Sequence, residues 1–171
     1  MTKTIPIEIT DDLLVSELWA RDVPFLMGEQ LSPEPLLEPA ALIQALAQSK
    51  EARVQLSLIP LFLRHPEFSA YVMDAAKNVS AANQLILKCF YSAAVWLERK
   101  RLSRNELPDL FSKELGMSPV SDPEKNLHML ALQQAKLVNP RINWLDTYRH
   151  AADIWLKAFQ LQKHHHGQAK T

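Results

Sequence analysis

The chain has 171 residues, of which 47% are hydrophobic and 22% are charged. This length and composition are typical of one globular domain with its own core, and they exclude a disordered or collagen-like chain. Nineteen basic residues balance nineteen acidic ones. This balance argues against a protein that mainly coats nucleic acid, because phosphate binding needs a surplus of Lys and Arg. The single cysteine, Cys89, excludes an intrachain disulfide and favours a reducing compartment, so a cytoplasmic location is expected.

Proline and glycine usage predicts an all-α fold. Eleven prolines and only three glycines suit helices with abrupt ends better than a sheet built from tight hairpins. Apolar periodicity between the proline and cap signals predicts the helices, which cover, in chain order, residues 11–20, 39–48, 50–64, 66–77, 80–101, 122–138 and 143–162. The predicted architecture is a compact multi-helix bundle, and a short HEAT-like stack of helical pairs is the alternative.

Irregular parts of the chain interrupt this helical pattern. Residues 21–39 contain four prolines among apolar residues and are expected to lie along the bundle without regular structure. Pro60 is expected to kink its helix, and Gly116 to end a short helix over 108–115. The apolar runs are too short or too charged for a membrane span.

The predicted domain organisation is simple. Residues 1–162 form a single helical domain, which includes the irregular segment. Residues 163–171 follow it as a flexible tail.

The last predicted helix has two contrasting faces. An aromatic stripe steps along it by three or four residues at Trp144, Tyr148, Ala152, Trp155 and Phe159. The sequence does not decide whether this stripe faces the core or a partner. Because Trp and Tyr are common at interface hot spots, Trp144 and Tyr148 are candidate partner-binding residues.

The opposite face of that helix carries Asp146, His150 and Asp153. Their spacing puts the three side chains on one side of the helix, and carboxylates with an imidazole suit a divalent metal. No second helix supplies further ligands, so a solvated polar face is favoured over a metal site. Neither a metal nor a cofactor is predicted.

Basic residues gather where the helix over 80–101 ends. Arg99, Lys100, Arg101 and Arg104 could bind RNA or an acidic partner. Their position at a helix C-terminus is also explained by the helix dipole, which favours cations there. Arg149 on the last helix joins Arg99, Arg101 and Arg104 as a candidate partner-binding residue.

The sequence contains no recognisable catalytic motif. It lacks a glycine-rich phosphate loop, a strained-turn serine and a His-Glu-x-x-His pattern. Cys89 lies within an apolar helix, where a thiol is expected to be inert. No catalytic residue is assigned, and a non-catalytic protein is favoured.

Three phrases of the sequence resemble an uncharacterised all-helical family of cyanobacteria and archaea. They are LIPLFLRHPEF at 58–68, LPDLFSKELG at 107–116 and INWLDTYRHAA at 142–152. Members of that family are often encoded beside small nucleotidyltransferases. The resemblance therefore implies that this chain is a helical partner subunit of such an enzyme. Such enzymes also pair with HEPN-type ribonucleases, whose motif is an Arg followed by a His after four to six residues. That pair is absent here.

The sequence therefore predicts a non-catalytic helical interaction or regulatory protein, with a small nucleotidyltransferase as the implied partner. Two alternatives stay open. One is a metal-dependent hydrolase or nuclease using the face of Asp146, His150 and Asp153, and the other is an RNA-binding module that uses residues 99–104. No membrane association is expected, and a homodimer is compatible with the sequence.

Overall fold

Helices form the regular structure of the chain. The computed structural model describes residues 8–168, without the side chains of 159 and 162–168, and this part contains no β-strand. The all-α prediction is thus confirmed. The α-helices are α1 (Asp11–Ala20), α2 (Pro39–Gln48), α3 (Ala52–Leu56), α4 (Leu58–Arg64), α5 (Val72–Lys77), α6 (Ala81–Arg101), α7 (Pro123–Leu137) and α8 (Trp144–Gln168).

Side-chain caps fix where several of these helices begin. Thr10, Ser80 and Asp122 each accept a hydrogen bond from the backbone N–H three residues later, at 3.1, 3.2 and 3.2 Å. Asn143 and Asp146 bond reciprocally at the start of α8, at 2.9 and 3.1 Å. Each cap satisfies a backbone donor that has no partner inside its helix. Ser80, Asp122 and Asn143 are also the first residues of the helices predicted over 80–101, 122–138 and 143–162.

The prediction of one continuous helix over 50–64 is wrong. The break between α3 and α4 falls at Ser57 and not at Pro60. Ser57 closes a tight turn, because both its N–H and its hydroxyl donate to the Val54 carbonyl. Pro60 is the third residue of α4, where a backbone N–H would have no helical acceptor, so the proline is tolerated there.

Two further segments differ from their predicted form. Residues Pro66–Tyr71 form a 3-10 helix before α5 begins. Residues 108–115 form turns and not a helix. Side chains bond part of their backbone, since Asp109 accepts from the Ser112 N–H at 3.1 Å and the Tyr91 hydroxyl donates to the Pro108 carbonyl at 2.6 Å. Gly116 does adopt the predicted left-handed conformation, with φ of 81°.

α6 lies at the centre of the molecule. All of its residues from 89 to 98 are buried, and it packs against α2, α4, α5, α7 and α8. One central helix surrounded by others is a bundle, whereas a HEAT-like stack would place each helix pair only against its neighbours. The predicted compact bundle is therefore confirmed.

Two buried carboxylates hold the irregular segments against this bundle. Glu17 of α1 accepts hydrogen bonds from the backbone N–H groups of Leu36 and Leu37. Glu98 of α6 accepts from the N–H groups of Glu106 and Leu107, both at 2.8 Å. The side chains of both acids are 0% exposed. Residues 21–39 thus lie along the bundle, as the sequence predicts, because α1 binds their backbone.

The last helix extends beyond the predicted domain end at 162. The backbone of α8 is helical up to Gln168, while the side chains of the predicted tail, 163–171, fall outside the described residues. Across the described helices, none combines the length with the apolar content that a bilayer crossing requires.

Candidate interaction site

An apolar groove opens where α3, α6 and the start of α8 meet. Its volume is about 300 Å³. The residues that line it are Ala52, Arg53, Gln55, Leu56, Phe90, Ile142, Trp144 and Thr147. Most of this lining is aliphatic or aromatic, and it contains no carboxylate. Its volume and apolar walls could accommodate one or two large apolar side chains.

Trp144 forms the rigid part of this groove. Its indole Nε1–H donates to the Asn139 carbonyl at 3.0 Å. Its ring meets Phe90 edge-on, with centroids 6.0 Å apart and planes at 63°. Only 8% of the residue is exposed, so the indole is held in place and offers a small part of its surface to the groove. Such a fixed aromatic surface loses little side-chain entropy on binding.

The polar side chains at the groove are held by local contacts. Gln55 donates to the Ala47 carbonyl at 3.2 Å, and the Thr147 hydroxyl donates to the Asn143 carbonyl at 2.9 Å. Arg53 is exposed at the rim. The groove therefore combines apolar walls with one cationic side chain at its edge.

Tyr148, the neighbouring sequence candidate, lies in the core. It is 0% exposed, and its hydroxyl donates to Gln134 Oε1. Burial raises the pKa of this phenol well above its usual value of 10.0. Tyr148 cannot contact a partner in this structure. Beyond Trp144, the described part of the aromatic stripe, with Trp155 4% exposed, belongs to the core.

Arg149 is half-buried and pairs with Glu124 of α7. Burial alone would raise the pKa of the Glu124 carboxyl, but the hydrogen bond and charge of Arg149 outweigh it. The pKa therefore lies below its ordinary value of 4.5. Arg149 thus ties α8 to α7.

A pH dependence of stability follows from this pair. A carboxyl with a depressed pKa in the folded state contributes stability above 4.5, and this contribution is lost as the pH falls through the folded value. We expect Glu124→Gln to lower the free energy of unfolding at pH 7 by up to about 1 kcal/mol, given its partial exposure. The difference should vanish near pH 2, as measured by urea unfolding. Equal differences at both pH values would contradict this role of Arg149.

The basic residues that end α6 are engaged within the molecule. The Arg99 guanidinium lies 4.5 Å from the centroid of the Trp96 ring, and Arg101 bonds Asp153 at 2.7 Å. Arg104 bonds Glu98 at 2.7 Å. Arg99 thus packs on α6 itself, Arg101 connects α6 to α8, and Arg104 connects the segment after α6 back to it. Of the three, only Arg101 is exposed.

The polar face of α8 is exposed to solvent. Asp146, His150 and Asp153 are all exposed, with Asp146 bonded to Asn143 and Asp153 to Arg101. Among the described residues, no group of three or more His, Cys, Asp or Glu side chains is placed to hold a metal ion. The arrangement fits helix capping and ion pairing.

The Cys89 thiol is fully buried in α6. Burial raises the pKa of this thiol from 9.0 to about 12. At neutral pH it is a neutral thiol without access to reagents.

We therefore expect Cys89 to resist a thiol-specific reagent such as DTNB at pH 8 for as long as the protein stays folded. One equivalent should react at once in denaturant. Rapid modification of the folded protein would contradict the burial of this side chain.

Sequence reasoning singled out one groove residue, Trp144, and missed Leu56, Phe90 and Ile142. These three come from separate helices or turns, and each looks like an ordinary core residue in its own pattern. The signal in the sequence was only the apolar character of all three.

No family model matches the chain, and no match was found among curated proteins or solved structures.

Proposed function

We propose that the chain is a non-catalytic interaction protein that binds another protein in the groove at Trp144. The single observation that carries this proposal is an apolar groove of about 300 Å³ with a rigidly held indole in its wall. Exposed apolar concavities of this kind are typical of protein–protein contact sites. A large apolar side chain of the partner would enter the groove, and Arg53 at the rim would orient it.

A small nucleotidyltransferase of the same cytoplasm is the partner we propose. This choice rests on the resemblance of residues 58–68, 107–116 and 142–152 to a helical family that accompanies such enzymes. Binding would position or regulate the enzyme, while the helical chain contributes no catalytic group of its own.

The groove can be tested without disturbing the core. Thr147→Arg places a long charged side chain across the groove, and Thr147→Ser keeps the hydroxyl that bonds the Asn143 carbonyl. We expect Thr147→Arg to weaken binding of the purified nucleotidyltransferase by roughly tenfold or more, and Thr147→Ser to bind like the unaltered chain.

Titration calorimetry would measure these affinities, with circular dichroism showing that both variants remain folded. Equal binding by the folded Thr147→Arg variant would contradict the groove as the site. No binding by the unaltered chain would contradict the choice of partner.

A further inference from the structure

The 27–36 segment, which follows α1, presents large apolar side chains to solvent. Met27 is 90% exposed, Leu31 59% and Leu36 50%. Single exposed apolar residues are ordinary on protein surfaces. Three within ten residues, on a segment remote in sequence from the groove at Trp144, form a second apolar surface.

This segment is irregular, yet its backbone is firmly bound to α1. The Leu31 N–H donates to the Ser16 hydroxyl at 2.7 Å, and the Leu36 N–H donates to Glu17 at 2.9 Å. A Cβ atom added to Gly28 would lie 2.5 Å from Cγ1 of Val15, so the backbone at Gly28 packs directly against α1. The apolar side chains are thus displayed from an ordered backbone, and binding would cost little further conformational entropy.

The charges of the 27–36 segment are acidic. Glu29 and Glu34 are exposed, and neither forms an ion pair with any residue that the structure describes. Between the segment and α1 lies a cleft of about 240 Å³. Asp12 and Glu29 supply its carboxylates, and Val15, Met27 and Leu31 its apolar wall. This chemistry suits the aliphatic stem and ammonium group of a lysine.

The outer face of α7 carries the complementary pattern. Lys125, Met129, Leu132 and Lys136 are all exposed and follow one another at spacings of four, three and four residues. They therefore form one row along the helix, called here the α7 stripe. Met129 is 37% exposed and Leu132 66%. Within the described chain neither lysine has an ion-pair partner, and the two lie about 16 Å apart along the helix axis.

We propose that the chain associates with itself, the 27–36 segment of one copy packing on the α7 stripe of a second copy. Charge complementarity favours a second copy as the partner, because the segment offers two carboxylates and the stripe two ammonium groups, all without an ion-pair partner among the described residues. Lys125 and Lys136 pair with Glu29 and Glu34, and one lysine stem enters the cleft beside α1. The apolar side chains of the two surfaces pack between these pairs. This contact does not involve the groove at Trp144, so its test does not depend on whether the proposed function is correct.

Charge reversal on each surface tests this contact. One variant carries Lys125→Glu and Lys136→Glu, and the other carries Glu29→Lys and Glu34→Lys. All four positions are exposed, so both variants should fold, which circular dichroism checks. The mass in solution would be measured by light scattering over a range of protein concentrations. We expect the unaltered chain to associate, and each variant to associate at least roughly tenfold more weakly, because like charges then face each other.

The decisive measurement is an equimolar mixture of the two variants. The acidic stripe of one variant then meets the basic segment of the other, and the remaining surfaces meet with their original charges. The mixture should regain the association of the unaltered chain, and high salt should weaken it. A monomeric unaltered chain, variants that associate unchanged, or a mixture that stays monomeric would each overturn the proposal.

Discussion

Replacing Glu98 with Gln is expected to lower the free energy of unfolding by about 3–5 kcal/mol. The Glu98 side chain is fully buried and bonds Arg104 Nε at 2.7 Å. It also accepts the N–H groups of Glu106 and Leu107, both at 2.8 Å. An amide in its place loses the negative charge and turns an NH₂ group toward donors. Both N–H groups bond Oε1 and Arg104 bonds Oε2, so the single amide oxygen could accept from either the two N–H groups or Arg104, and the others would face an NH₂ group.

Glu106→Gln is the matched control for this prediction. Glu106 also contacts Arg104, at 3.2 Å, but its side chain is 58% exposed. We expect the control to change the free energy of unfolding by less than about 1 kcal/mol. Urea or guanidinium unfolding would measure both variants. Similar small losses of stability in the two variants would show that the burial of Glu98 does not determine its contribution to the free energy of unfolding.

Replacing Glu17 with Gln is expected to destabilise the chain by a comparable amount, about 3–5 kcal/mol. Glu17 lies 3.5 Å from Arg21, and Arg21 is only 8% exposed. Without the carboxylate, a buried guanidinium loses its charge partner. The N–H groups of Leu36 and Leu37 lose an anionic acceptor in the same step, so the segment after α1 should loosen before the bundle unfolds.

Two measurements separate this effect from a general loss of stability. In the variant, the Leu36 and Leu37 amides should exchange through a local opening, at a lower exchange free energy than the amides of α6. The double variant Glu17→Gln with Arg21→Met should recover part of the lost stability, because the unpaired buried cation is also removed. Glu29→Gln, at an exposed position of the same segment, should stay within about 0.5 kcal/mol. No recovery in the double variant would rule out the buried charge as the cause.

The helix starts were predictable from the sequence because their causes are local. α1 and α2 begin and end at the predicted residues, since a cap residue or a first-turn proline marks each start within a few positions. The break at Ser57 was missed because a serine in an apolar helix carries no strong breaking signal. Pro60 carries such a signal, but its effect depends on its distance from the helix start.

The buried acids and the groove were not predictable from the sequence, because their partners are distant. Glu17 bonds backbone groups about twenty residues away, and a single Glu on a helix resembles an ordinary exposed residue. The groove joins Leu56, Phe90 and Trp144 from three separate helices. The aromatic stripe was found by its spacing, but only the packing of the bundle shows that Tyr148 lies inside it.

The burial of α6 has a consequence for how the molecule opens. Every residue from 89 to 98 is buried, and helices lie around this stretch on several sides. Its amide hydrogens can therefore exchange with solvent only when the whole bundle comes apart. The slowest-exchanging amides should lie in this stretch, and the exchange free energy there should equal the free energy of global unfolding. α6 thus makes the molecule a single cooperative unit, with local opening confined to the segments at its surface.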